Sequence, residues 1–162
     1  MIKIGIITVS DRSFRKLRED LSGPAIRYWA ENRQYSVTME SIVPDEVDAI
    51  KAELIKFSDA GVELIFTTGG TGFAERDVTP EATIQVLDKP APGFAEHMRS
   101  RSMNITSHAM LSRAVSGIRK KSLIINLPGS PKAVRENLEF IEDAIPHAIG
   151  LLRGTDKDCG SE

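Results

Sequence analysis

Residues 64–72 read LIFTTGGTG, and Asp77 and Glu81 follow shortly after. An apolar strand here empties into small residues, and a helix begins just beyond. Glycines let a backbone come close to phosphate oxygens, and backbone amides and helix N-termini supply positive potential. A carboxylate beside a phosphate is repulsive unless a cation lies between them. Gly69, Gly70, Thr71 and Gly72, taken with Asp77, therefore point to phosphate bound together with a divalent metal. Thr68 and Thr71 would lend hydroxyls. Asp45 is the second acidic candidate. It follows Pro44 and precedes a helix, so it reads either as a metal ligand or as that helix's N-cap. Asp77 has the weaker competing reading, because Thr79 is better placed to cap the next helix.

Three further groups stand where chemistry is plausible. Ser10 and Asp11 follow the first strand. Pro128, Gly129 and Ser130 follow another strand and open a helix, either to hold a second anion or only to cap it. Arg113 reads either as an offset to substrate charge or as half of a structural ion pair. Other chemistries lack their motifs. Gly72 is followed by Phe73 rather than Lys, which excludes a Walker A loop. The third position of a dinucleotide fingerprint is Glu75, not glycine. His97, His108 and His147 are scattered, and no serine has a histidine at an informative spacing.

The elements that must position these residues alternate between strand and helix. Residues 2–9 form a β-branched, buried strand, and 10–23 a charged, irregular loop. A helix is expected over 24–32, with Trp29 in the core, and a strand over 35–43. Residues 45–60 show helical spacing of Val47, Ile50, Leu54 and Phe57, with Gly61 placed to stop the helix. A strand over 62–68 precedes a helix capped by Thr79, and a further helix covers 91–104. Residues 114–127 read as a hairpin or as a strand with a bulge, with Arg119, Lys120 and Lys121 in a solvated turn. The last helices start at Ser130 and Pro131, and Pro146 interrupts them. This alternation predicts an α/β domain with a mostly parallel sheet. Ligands of such sheets gather at the C-terminal strand ends, where these polar loops fall.

Residues 1–153 read as one domain and 154–162 as a polar, mobile tail. The 162 residues suffice for one sizeable core. A net charge of −2 with no basic block argues against nucleic acid. A single cysteine, Cys159, excludes an internal disulfide. No leader and no membrane-spanning run is apparent, so the cytoplasm is expected.

With these loops in view, the chain resembles the molybdopterin adenylyltransferase family, of the bacterial Mog type and related to the G domain of gephyrin. The matching segments are VSDR at 9–12, SGP at 22–24, VPDE at 43–46, TTGGTG at 67–72, RDVTPEAT at 76–83, PGF at 92–94, MLSR at 110–113 and LIINLPGSPK at 123–132. They occur in order over nearly the whole chain. Pro92 leans toward the Mog type over the related MoaB type, a group that includes non-catalytic pterin-binding or carrier paralogues as the alternative. Two departures stand out: residues 15–18 replace a shorter, glycine-containing loop, and Ser107 and His108 stand where a proline is usual.

The resemblance implies a Rossmann-like fold and an enzyme that moves AMP from ATP to the terminal phosphate of molybdopterin, releasing pyrophosphate. It further implies a magnesium requirement, a homotrimer and contact with a downstream molybdenum-insertion protein. It marks Asp45 and Asp77 as catalytic, and associates Ser102 and Ser112 with the pterin side. In such chemistry the nucleophile is a phosphate monoester, largely ionised near neutral pH, so no general base is needed. The obstacle is charge, and catalysis rests on positioning and neutralisation.

Overall fold

The computed structural model describes residues 1–156. Cys159 and most of the expected tail lie outside them. Strand β1 (Lys3–Val9) is apolar along almost its whole length because both of its faces are covered. Ile4 and Ile6 point into one core and Ile7 and Val9 into the other. Strand β3 (Leu64–Thr68) divides the same way, with Leu64 and Phe66 opposed to Ile65. The period-two geometry of a strand thus makes a three-layer molecule from two continuous apolar runs.

The remaining elements are α1 (Asp11–Phe14), α2 (Ser22–Asn32), β2 (Ser36–Val43), α3 (Val47–Asp59), α4 (Thr79–Ile84), β4 (Lys89–Pro90), α5 (Gly93–Met103), β5 (Ser116–Arg119), β6 (Ser122–Leu127), α6 (Pro131–Ile141) and α7 (Ile145–Arg153). The sheet order is β2-β1-β3-β6-β5-β4. The four strands β2, β1, β3 and β6 are parallel, and β5 and β4 extend the sheet antiparallel. Helices α2, α6 and α7 pack on the face holding Ile4, Phe66 and Ile125. Helix α3 and the start of α4 cover the face holding Ile7, Ile65 and Ile124. The chain leaves β1 toward β2 and returns to the other side of β1 as β3. The strand order therefore reverses between β1 and β3, and the loops after those strands flank the crevice.

Several local expectations change. Residues 10–23 are not irregular throughout: Ser10 caps α1 by accepting from the Ser13 amide at 3.2 Å. Helix α2 begins at Ser22, two residues before Pro24, because the Asp20 carboxylate accepts from the amides of Ser22 and Gly23 at 3.0 and 3.1 Å. Thr79 does not cap α4. It is the first helical residue, and its hydroxyl donates backwards to the Gly69 carbonyl at 2.9 Å. Residues 114–127 resolve to the hairpin, with Arg119 opposite Ser122 and Lys120 at φ 52°. Ser130 does cap α6, accepting from the Ala133 amide at 3.1 Å. Residues 154–156 are not a free tail: Thr155 donates twice to the Gly150 carbonyl, and Asp156 meets His147 at 3.1 Å.

Candidate active site

Four loops meet at the C-terminal edge of the parallel strands, following β1, β2, β3 and β6. The glycine loop after β3 is held by Thr79, whose amide donates to the Gly70 carbonyl at 3.1 Å while its hydroxyl reaches Gly69. Gly69 and Gly70 adopt φ of 97° and 68°, a region that side chains disfavour. A Cβ on Gly69 would collide with the Val9 carbonyl, and one on Gly70 with the Thr79 hydroxyl. The Gly69 amide donates to the Leu127 carbonyl at 3.2 Å, and the Thr68 hydroxyl to the Pro128 carbonyl at 2.7 Å. These two groups stitch the loop to its neighbour, so the Gly69 amide proton and the Thr68 hydroxyl proton are spent on carbonyls rather than left for the phosphate contact expected of them. Thr71 is buried, and its carbonyl accepts from the Arg113 amide at 2.8 Å.

Asp45 is not a helix cap. Glu46 occupies that position, and the Asp45 carboxylate instead accepts from the Asp11 amide at 2.8 Å. The Asp45 amide in turn donates to the Asp11 carboxylate at 3.1 Å, a reciprocal pair that locks the loops after β1 and β2 together. A Cβ on Gly70 would stand 3.1 Å from Asp45 Oδ1, and one on Gly72 2.9 Å from Asp77 Oδ2. Both carboxylates therefore pack against the glycine loop. Burial pushes the Asp45 carboxyl above the usual range, and the charges of Asp11 and Asp77 push it further. Asp11 moves the other way, because the Arg76 guanidinium grips its carboxylate at 2.6 and 3.0 Å.

Of the expected residues other than the aspartates, Gly70, Thr71 and Gly72 line neither of two cavities that share the loop after β6, and the rest divide between them. One, of about 280 Å³, is lined by Ser10, Thr68, Gly69, Gly129 and Ser130. The N-terminus of α6 opens beside it. The second, of about 220 Å³ and more apolar, is lined by Ser102, Ser112 and Pro128. Asp11, Asp45 and Asp77 line neither cavity. They flank the glycine loop that borders the first.

Sequence reasoning missed several participants. Asp20 lines the first cavity and also accepts from Thr8 at 2.7 Å. An aspartate just ahead of SGP is a helix-start signal that was available. Arg18 lines the same cavity, and Asn126 and Asn137 line the second. Arg18 falls in the stretch that departs from the family loop, and nothing local marks Asn126 or Asn137. Arg113 is resolved as a structural group: it binds the Gly72 and Asp77 carbonyls at 2.8 and 2.7 Å and pairs with Glu81.

Among the described residues no group of three or more His, Cys, Asp or Glu side chains is arranged to hold a metal. The donor set nonetheless suits magnesium, which takes one or two carboxylates and completes its shell with phosphate oxygens and water. Asp45 and Asp77 offer two carboxylates crowded against like charge, where a divalent ion relieves the repulsion. The arrangement can place two anions side by side at a helix N-terminus and a glycine loop, with acidic groups at their border.

The family described as a probable molybdopterin binding domain matches residues 5–147. A molybdopterin adenylyltransferase from Helicobacter pylori is 47% identical over 159 residues, covering 94% of this chain and 89% of that protein. Gephyrin from Dictyostelium discoideum is 43% identical over 95% of this chain, which spans only 23% of gephyrin's length. Among solved structures, the molybdopterin biosynthesis enzyme MoaB from Thermus thermophilus superposes with a TM-score of 0.90. It is 47% identical, covering 95% of this chain and 98% of that one. A six-stranded, mostly parallel sheet, a glycine loop bordered by two aspartates and these likenesses agree: the chain belongs to the molybdenum cofactor biosynthesis family of the probable molybdopterin binding domain.

Proposed function

We propose that the protein is a molybdopterin adenylyltransferase. A terminal phosphate oxygen of molybdopterin attacks the α-phosphorus of ATP. The bond from that phosphorus to the β-bridging oxygen breaks, and pyrophosphate leaves with its electron pair. The observation that carries this reading is the placement of Asp45 and Asp77 against Gly70 and Gly72, at the open end of the sheet. A module that only bound anions would gain nothing from two carboxylates there.

In this reading the cavity lined by Ser102 and Ser112 takes the pterin, and the cavity lined by Ser10, Gly69, Gly129 and Ser130 takes phosphate groups. The α6 N-terminus adds positive potential to the second of these. Magnesium bound by Asp45 and Asp77 would offset the charge of the reacting phosphates. Asp11 orients Asp45 through its amide, and Arg76 keeps Asp11 ionised and in place. Burial of Asp45 favours a bound cation over a free carboxylate. The negative net charge fits a small-molecule enzyme better than a nucleic-acid binder, and no helix of the described residues is long and apolar enough to cross a membrane. A homotrimer in the cytoplasm, passing its product to a molybdenum-insertion protein, completes the proposal.

The test is purified protein with ATP, magnesium and molybdopterin, read out as adenylated pterin. Absence of product under conditions where a known adenylyltransferase works would refute the activity. Asp77→Asn is expected to keep pterin affinity within a few-fold while losing most turnover. Pterin uptake measured by calorimetry that is indifferent to ATP and magnesium would identify a carrier instead.

A further inference from the structure

The segment that carries Asp77 has little apolar packing to hold it. Phe73 is 68% exposed, and Ala74, Glu75 and Arg76 are exposed as well, so no apolar packing fixes residues 72–77. Within the segment, the Ala74 amide donates to Asp77 Oδ2 at 3.1 Å and the Asp77 amide to the Ala74 carbonyl at 2.9 Å. These bonds shape the turn without anchoring it to the domain. Two arginines supply the anchor: Arg76, within the segment, grips the Asp11 carboxylate at 2.6 and 3.0 Å, and Arg113, which follows the 3₁₀ turn Ser107–Leu111, holds the two ends. Its Nε donates to the Gly72 carbonyl at 2.8 Å and its Nη2 to the Asp77 carbonyl at 2.7 Å. Its own amide donates to the Thr71 carbonyl at 2.8 Å. One planar group thus spans both ends of the exposed turn.

Arg113 Nη1, and Nη2 with its second proton, also donate to Glu81, in the first turn of α4. This pairing has a consequence for a site that receives polyanions. An unpaired arginine next to bound phosphates would swing toward them. Glu81 neutralises Arg113 and keeps its donors on the loop carbonyls, and the mutual hydrogen bond lowers the Glu81 carboxyl and raises the Arg113 guanidinium further. A lysine could not substitute, since three donors on one nitrogen cannot span two carbonyls and a carboxylate in a plane.

We propose that Arg113 is a positioning residue that sets the carboxylate of Asp77 relative to the bound phosphates, with Glu81 as its anchor. The role in turnover rests on the adenylyltransferase reading. The variants Arg113→Lys and Glu81→Gln test it in three measurements on the full chain. Hydrogen exchange needs neither activity nor metal: the amides of Ala74 and Asp77 are expected to exchange faster in Arg113→Lys, and unchanged exchange overturns the proposal. Calorimetry with α,β-methylene-ATP comes next. The variant is expected to match the wild type without magnesium and to lose most of the affinity that magnesium adds. An equal loss with and without magnesium would mean general disruption and would overturn the positioning role. In steady-state adenylation, kcat is expected to fall about a hundredfold, the scale of a 1 Å misplacement, with the pterin KM unchanged. A raised KM with kcat preserved overturns the role. Glu81→Gln is expected to move each readout in the same direction by less, and serves if Arg113→Lys does not fold. If the wild type yields no adenylated product, the adenylyltransferase reading fails, while hydrogen exchange still decides whether Arg113 holds the Asp77 turn.

Discussion

Gly70→Ala probes how tightly the glycine loop is built. Gly70 sits at φ 68°, and placing alanine there costs about 1–2 kcal/mol. The new Cβ would also collide with the Thr79 hydroxyl, which is fully buried and donates to the Gly69 carbonyl at 2.9 Å. Displacing that hydroxyl forfeits a buried hydrogen bond worth about 1 kcal/mol. The two effects together come to roughly 2–3 kcal/mol. For a chain of this size each kcal/mol moves the melting temperature by about 2–4 °C, so a fall of about 4–12 °C is expected. Urea denaturation of Gly70→Ala, Thr79→Ala and the double variant separates the terms. Thr79→Ala removes the obstacle as well as the hydrogen bond, so the double variant should be more stable than the summed single effects by about 1 kcal/mol. Additivity within about 0.5 kcal/mol would show that the hydroxyl and the glycine do not share this space, and the steric reasoning would fail. The same substitution narrows the approach to Asp45, 3.1 Å away, so turnover should fall even at temperatures where the variant is fully folded.

Two more outcomes follow from particular groups. Asp45 is raised by burial and by its acidic neighbours, so the folded protein holds that proton more tightly than the unfolded chain. Stability is therefore lost as pH climbs from the unfolded carboxylate value through the raised folded one. Asp45→Asn should melt higher than wild type at neutral pH, and that advantage should vanish in acid below the usual carboxylate range, which thermal melts across pH would show. Asn126 is fully buried, donates to Thr67 and Thr83 at 2.9 and 3.0 Å, and accepts from the Val115 amide at 3.2 Å. Asn126→Leu strands that amide and should cost about 2–3 kcal/mol in urea denaturation, with a second effect on pterin affinity because Asn126 lines the more apolar cavity.

Local chemistry is legible without coordinates. The apolar runs of β1, β3 and β6, the Ser130 cap on α6 and the glycine loop after β3 each depend on residues within a few positions of one another. Binary patterning and turn chemistry act over that range, so they survive in a linear reading. Asp77 is conspicuous because it follows the glycine loop within a few residues, whereas Asp45 lies after β2 and is singled out by its place at a strand end and by the family resemblance. The misreadings are also local in kind. Thr79 resembles a cap because of Pro80 and Glu81, yet tertiary contact with Gly69 draws its hydroxyl away. Helix α2 starts early because Asp20, in a stretch whose charge suggests a loop, supplies a capping carboxylate.

Taken alone, the order of amino acids determined the α/β alternation and the strand ends where polar loops gather, and it offered Asp45 and Asp77 as acidic candidates. Tertiary structure alone decided that Asp11 would lock Asp45 across 34 positions, that Arg76 would reach Asp11 across 65, and that Arg113 would clasp Gly72 across 41. It also decided that Ser10 and Ser130 share one cavity while Ser102 and Ser112 share another. The reason is physical. Propensity, capping and patterning are set by near neighbours along the chain, whereas which loops meet is set by strand order, and strand order comes from burying both faces of the sheet at once.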